Sequence, residues 1–241
     1  MKFKIIPALA TICLLALLLA LADWQWRRAE EKRVLLHLQQ QAVGAATITL
    51  SAETQDDAES LRYRKVQVTG HYDAAHQFLL DNQVSAGKPG YFVLTPLLLP
   101  DALSSGSAKA VLVNRGWVPL KQNRAVLPDV SVNTAQITVN GRINKFPGVG
   151  MKLAGAEIPT ANWPSVVQVV DNRVLAEKLG HDVFRFQVEL DKNDPDGFKR
   201  EWQTSAVMSP EQHIGYAVQW LGLALTLALL FIWYGFKKKN D

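Results

Sequence analysis

Residues 214–236 read Ile-Gly-Tyr-Ala-Val-Gln-Trp-Leu-Gly-Leu-Ala-Leu-Thr-Leu-Ala-Leu-Leu-Phe-Ile-Trp-Tyr-Gly-Phe, and Lys237, Lys238 and Lys239 follow at once. The stretch is uncharged and as long as the roughly 20 residues a helix needs to cross the hydrocarbon core of a bilayer. A second uncharged run, residues 5–22, lies at the other end of the chain. Only structures that satisfy their own backbone hydrogen bonds span lipid, so both runs are expected as helices. The expected fold is a membrane protein with two transmembrane helices flanking one mainly antiparallel, β-rich α+β extracytoplasmic domain. Its parts are a tail over 1–4, a span over 5–22, the domain with a helical stem and linkers over 23–213, a span over 214–236 and a tail over 237–241.

Lys2, Lys4 and the three terminal lysines place both termini in the cytoplasm, by the bias of positive charge toward that face. Arg27, Arg28, Lys32 and Arg33 argue the other way, but Asp23, Glu30 and Glu31 lie among them. The N-terminus lacks the long, arginine-rich, amphipathic character of a transit peptide, which favours a bacterial inner membrane with the main domain in the periplasm. Ala20-Leu21-Ala22 also resembles a signal-peptide cleavage site; the length of the apolar run and the interfacial anchors Trp24 and Trp26 favour retention.

Composition excludes several function classes. The single cysteine, Cys13, sits inside the first span, so thiol redox work in the exported domain is excluded. Copper delivery wants cysteine or methionine clusters, and apart from the start only Met151 and Met208 are present. The net charge of +4 is spread out, without the basic blocks interleaved with aromatics that mark a nucleic-acid partner. Membrane lipid is the implied surroundings instead.

Between the spans the pattern changes twice. From Trp24 to about Gln41 leucines and charges recur at helical spacing, followed by a polar linker over 44–60. Then alternation of period two marks strands over 63–69, 78–81, 91–95, 110–118, 136–143, 166–170 and 184–190. Gly70, Asn82, Gly90, Gly106, Asn140-Gly141 and 147–150 separate them, and a helix over 173–179 has Asn172 as N-cap and Gly180 past its end. An antiparallel sheet or partly closed barrel with minor helices fits this series.

Ser209-Pro210-Glu211-Gln212 carries an N-cap, a proline suited to the first helical position and the glutamine of a capping box. His213 therefore stands in the first turn of the second span, with Tyr216, Ala217 and Trp220 on its face. The positive end of the helix dipole disfavours imidazolium and leaves a neutral ring able to bind metal. Haem iron suits this setting, since a flat apolar disc meets an imidazole, an aromatic stripe and hydrocarbon together, with Ala217 leaving room for it. The competing reading is simple anchoring by interfacial aromatics.

In Asn-Arg-Gly-Trp, residues 114–117, Arg115 could hold a carboxylate such as a cofactor propionate, with Trp117 stacking beside it. Alternatively Gly116 adopts a conformation closed to other residues, Arg115 pairs internally and Trp117 fills the core. Other chemistry is thin. His37, His71, His76 and His181 are dispersed, Asp56-Asp57 and 191–196 read as solvated linkers, and 148–150 lacks the flanks of a phosphate loop. A membrane-anchored enzyme would lack a convincing nucleophile and base, so no enzyme is expected.

The two spans, Tyr-Arg-Lys-Val-Gln-Val-Thr-Gly-His-Tyr at 63–72, Gly-Tyr-Phe-Val-Leu-Thr-Pro-Leu at 90–97, Asn-Arg-Gly-Trp-Val-Pro at 114–119 and Pro-Glu-Gln-His-Ile-Gly-Tyr-Ala-Val-Gln-Trp at 210–220 occur in that order. In this the chain resembles the surfeit locus protein 1 family of cytochrome c oxidase assembly factors, over nearly its whole length. The resemblance implies a non-enzymatic factor that helps place haem a in the catalytic subunit of cytochrome c oxidase, with the haem a synthesis machinery as a further partner. It also implies that the histidine of the last motif, His213 here, ligates the haem. Tyr216, Trp220 and Arg115 match the family pattern and are the other candidate cofactor-binding residues; a haem-independent scaffold for oxidase subunits is the alternative. Retention of the first span has a direct test: N-terminal sequencing of protein taken from membranes is expected to read residues before Ala22, and a start at Asp23 would show cleavage.

Overall fold

A computed structural model of the chain describes residues 2–100, 109–148, 150–202 and 208–240. The chain divides into two compact units, Met1–Leu38 with Gln203–Asp241, and Gln39–Trp202. Its helices among the described residues are α1 (Lys2–Gly44), α2 (Asn172–Leu179) and α3 (Pro210–Asn240). The strands are β1 (Ile48–Leu50), β2 (Lys65–Tyr72), β3 (Phe78–Ser85), β4 (Lys88–Leu98), β5 (Lys109–Pro119), β6 (Gln136–Asn144), β7 (Ser165–Val167) and β8 (Asp182–Leu190).

The first unit consists of α3 and most of α1. Between Ala8 and Val43 there is neither glycine nor proline, so nothing in the sequence breaks α1 where the apolar run stops, and it continues as one helix to Gly44. Beyond the apolar part, exposed pairs such as Arg27 with Asp23 at 2.8 Å and Arg28 with Glu31 at 2.9 Å line the helix surface. Ile5–Ala42 and Pro210–Phe236 are both long and apolar enough to cross a membrane. Their outward faces carry Ile6, Leu9, Ile12, Leu225, Leu229 and Ile232, each more than half exposed, a surface suited to lipid and not to water. Thus the chain is a membrane protein with candidate transmembrane helices at both ends. The helix α3 runs on through the basic stretch that reads as a tail in the sequence.

The second unit is built on one eight-stranded sheet, ordered β1-β2-β6-β8-β5-β4-β3-β7, with two further residue pairs between β2 and β4. The sheet is mixed. β1 pairs with β2, β3 with β7 and β5 with β8 in parallel, and the remaining neighbours are antiparallel. Antiparallel pairings are in the majority, as expected, but the sheet is not purely antiparallel and the topology is not the partly closed barrel that the strand series also allowed. Alternation of period two reports burial of a face and not strand direction, so the parallel pairs could not be read from it. Residues 110–118 are buried without interruption because β5 is central and covered on both faces: Val111 and Val113 join the cluster of Tyr72, Val139, Phe184 and Phe186, while Leu112 joins that of Phe78, Leu80 and Leu175.

Two further expectations change. The linker over 44–60 contains β1, with Leu50 in the core, and Asp56 accepts a hydrogen bond from the Arg185 backbone N–H at 2.8 Å. The acidic stretch 191–196 is likewise tied in, as Asp194 accepts from the Asn140 backbone N–H at 2.5 Å. The helix α2 forms where expected, but Asp171 caps it in place of Asn172, accepting from the Arg173 N–H at 3.0 Å, and Gly180 closes it at a φ of 72°. The break expected at Gly106 lies outside the described residues.

Gly116 has a φ of +114°, and a Cβ there would stand 2.8 Å from the Lys199 carbonyl oxygen, because the 198–199 backbone pairs against this turn of β5. Gly116→Ala is therefore expected to cost about 1–3 kcal/mol for the dihedral, with the clash in addition. Gly87, at φ +75° but with open space around it, supplies the control, and thermal midpoints of the two alanine variants should fall further for Gly116.

Candidate functional site

The candidate residues fall into both units. In the membrane unit, the capping box forms in both directions: the Gln212 N–H donates to Ser209 Oγ at 3.3 Å, and the Ser209 N–H donates to Gln212 Oε1 at 2.8 Å. This fixes the first turn of α3 and with it the direction of His213. Beyond Pro210, the buried positions on the described part of α3 are His213, Ala217 and Ala224, with Trp220 half-buried between them. On the part of α1 in this unit they are Leu18, Ala22, Gln25 and Ala29, at the same helical spacing.

One polar contact joins these two stripes. His213 Nδ1 lies 2.6 Å from Gln25 Oε1, and both residues are below a tenth exposed. With the amide oxygen facing the ring, Nδ1 is the protonated nitrogen and donates. In a neutral ring so oriented, Nε2 is the nitrogen left to ligate a metal. On the same face, the indole Nε1 of Trp220 is buried with no hydrogen-bond partner, an orphaned donor of the kind that a bound group can satisfy. Tyr216 is 46 % exposed and presents its ring outward. Ala217, expected to leave room for a disc, is buried at 1 % exposure, on the stripe that holds His213 and Ala224.

In the sheet unit, Arg115 is 2 % exposed. Its Nε donates to the Asp196 carbonyl at 2.7 Å, Nη1 to the Val130 carbonyl at 2.9 Å and Gln77 Oε1 at 3.2 Å, and Nη2 to the Ser131 carbonyl at 3.1 Å. The rings of Phe198 and Tyr72 lie beside it at 4.9 and 5.9 Å. Among the described residues no carboxylate forms an ion pair with Arg115; carbonyl dipoles hold the charge. The internal alternative is thus the one that forms, since a propionate would have to displace those carbonyls from a buried cation. Trp117 is buried and its indole donates to the Gln83 carbonyl at 3.1 Å.

Neither Gln25 nor Gln77 was singled out from the sequence. Gln77 uses both ends of its amide, accepting from Thr95 Oγ1 at 2.7 Å and donating to the Val130 carbonyl at 3.0 Å. For Gln25 a faint signal existed: it is an uncharged polar residue between two tryptophans, level with the interface that His213 also marks. Among the described residues there is no group of three His, Cys, Asp or Glu side chains placed to hold a metal ion.

The SURF1 family pattern matches residues 12–225, which take in the sheet domain and part of each candidate span. The chain belongs to the SURF1 family. It is 25 % identical over 238 residues to a SURF1-like protein of Rickettsia felis, covering 94 % of this chain and 95 % of that one. It is 35 % identical over 111 residues to Surfeit locus protein 1 of Arabidopsis thaliana, covering 43 % of this chain and 31 % of the relative. It is 31 % identical over 110 residues to the cytochrome oxidase assembly protein SHY1 of Saccharomyces cerevisiae, covering 45 % and 26 %.

Beside Arg115, burial pushes the Tyr72 phenol well above the usual tyrosine range, with the guanidinium pulling the other way, and its hydroxyl has no hydrogen-bond partner. The folded protein therefore holds the phenol proton at pH values where the unfolded chain has lost it. Stability present below about pH 10 falls as pH rises beyond that value, by at most about 1.4 kcal/mol per pH unit from this group. Tyr72→Phe is expected to leave stability at pH 8 unchanged or higher and to flatten the loss above pH 10, as read by denaturant titrations across that range.

Proposed function

We propose that this protein is a cytochrome oxidase assembly factor that binds haem a through His213 and assists its insertion into the catalytic subunit of the oxidase. The observation that carries the reading is the buried His213 ring at the start of α3, whose Nδ1 is taken by Gln25, which leaves Nε2 as the nitrogen for a ligand. Haem iron draws four ligands from the porphyrin and needs only one from the protein, so a lone imidazole suffices where a set of side chains is not assembled. The partnerless Trp220 N–H and the exposed Tyr216 ring suit a group with an apolar disc and a polar edge. Family membership, and the printed role of the yeast relative in oxidase assembly, support the client.

In this reading the protein is a multi-pass protein of a bacterial inner membrane, with both termini cytoplasmic and the sheet domain in the periplasm. Its partners are the oxidase's catalytic subunit, membrane lipid and the haem a synthesis machinery. Arg115 serves by holding the sheet domain in shape.

Protein purified from cells that make haem a is expected to carry a Soret band that His213→Ala removes, with oxidase haem content falling in the same cells. An unchanged band in His213→Ala overturns the ligand assignment. Absence of bound haem from the unaltered protein, together with intact oxidase-subunit binding, would make it a haem-independent scaffold.

A further inference from the structure

We infer that Gln25 is the positioning residue for His213: by accepting the Nδ1 proton, its side-chain oxygen sets the tautomer and rotation of the ring and presents Nε2 for ligation. The inference rests on the haem reading above. The two residues are 188 positions apart in sequence, so the 2.6 Å contact is a tertiary choice and not a local helical pairing. Both side chains are buried at 7–8 % exposure, where an unpaired amide oxygen or imidazole N–H costs free energy that water cannot offset. Metal-bound histidines nearly always donate their second ring N–H to a carboxylate, a carbonyl or water, which fixes the ring and tunes its basicity.

The acceptor here is a neutral amide. A carboxylate in that place would bury a charge and push the imidazole toward imidazolate, a stronger donor to iron. An amide orients the ring with less gain in basicity, a balance suited to a protein that holds a ligand and then gives it up. Gln25 is also flanked by Trp24 and Trp26, which are 49 % and 54 % exposed and mark the depth of the interface. The first span is therefore part of the site as well as an anchor, because residues 5–22 hold Gln25 at the level of His213.

The test uses the full chain in detergent micelles, with haemin as probe, and compares the unaltered protein with Gln25→Leu, Gln25→Glu and His213→Ala. Haemin affinity is read from the Soret band and the reduction midpoint of the bound iron from a redox titration. In the haem-free protein, 15N-labelled histidine spectra report the His213 tautomer, its signal identified by loss in His213→Ala. Gln25→Leu is expected to weaken haemin binding by about tenfold or more and to mix the two tautomers. Gln25→Glu, which keeps the acceptor and its size, is expected to retain binding with a more negative midpoint. If the leucine variant does not assemble, the glutamate variant still reads the midpoint.

Unchanged affinity, midpoint and tautomer in both variants, with binding lost in His213→Ala, overturn the role of Gln25 and leave the haem reading standing. Equal weakening in both variants with no midpoint shift also overturns it, since a merely structural contact behaves so. Undiminished binding in His213→Ala sinks the haem reading and takes this inference with it.

Discussion

Along both terminal helices the outward side chains are leucine, isoleucine, valine and aromatic rings, and that surface is stable only where hydrocarbon replaces water. The rest of the membrane unit follows from this constraint. Backbone groups are satisfied within each helix, so the side chains that remain polar must find partners across the pair. Gln25 and His213 find each other, and the Trp220 N–H finds none. Alanine at 22, 29, 217 and 224 keeps the buried stripes slim, as interfaces between membrane helices generally are. The chemistry of the unit is thereby concentrated at one level, where the capping box starts α3.

The sheet unit meets a different problem with the same logic. It buries a guanidinium in a core of apolar strands with no ion pair to it among the described residues, and the cost is met by the carbonyls of Val130, Ser131 and Asp196 converging with Gln77. Three segments distant in sequence are thus fastened to β5 by a single side chain. The left-handed Gly116 lets the 198–199 backbone run against the same turn, so the Asn-Arg-Gly-Trp stretch acts as a clasp for the end of the domain.

The sequence showed the elements more readily than their partners. Length and absence of charge reveal the spans, because the thickness of a bilayer is a fixed ruler. The alternation of Phe184, Phe186, Val188 and Leu190 with polar residues reveals a strand, and Ser209 with Gln212 reveals the start of α3 through local hydrogen bonding. Pairing direction was hidden, since β1, β7 and the β5–β8 neighbours are set by the chain's path and not by alternation. Asp56 and Asp194 looked like linker residues because their partners, Arg185 and Asn140, lie far off in sequence. His213 was legible from its own turn, whereas Gln25 acquires meaning only once α1 and α3 are side by side.

The unbroken course of α1 has a mechanical side. A helix of 43 residues, about 64 Å at 1.5 Å of rise per residue, with no glycine or proline from Ala8 to Val43, has no joint in that stretch at which to bend or swivel. Torque applied at the charged end of the helix is carried along it to the apolar end, as along a rod. A twist of the stem therefore also turns Gln25, and with it the amide that meets His213 across the helix pair.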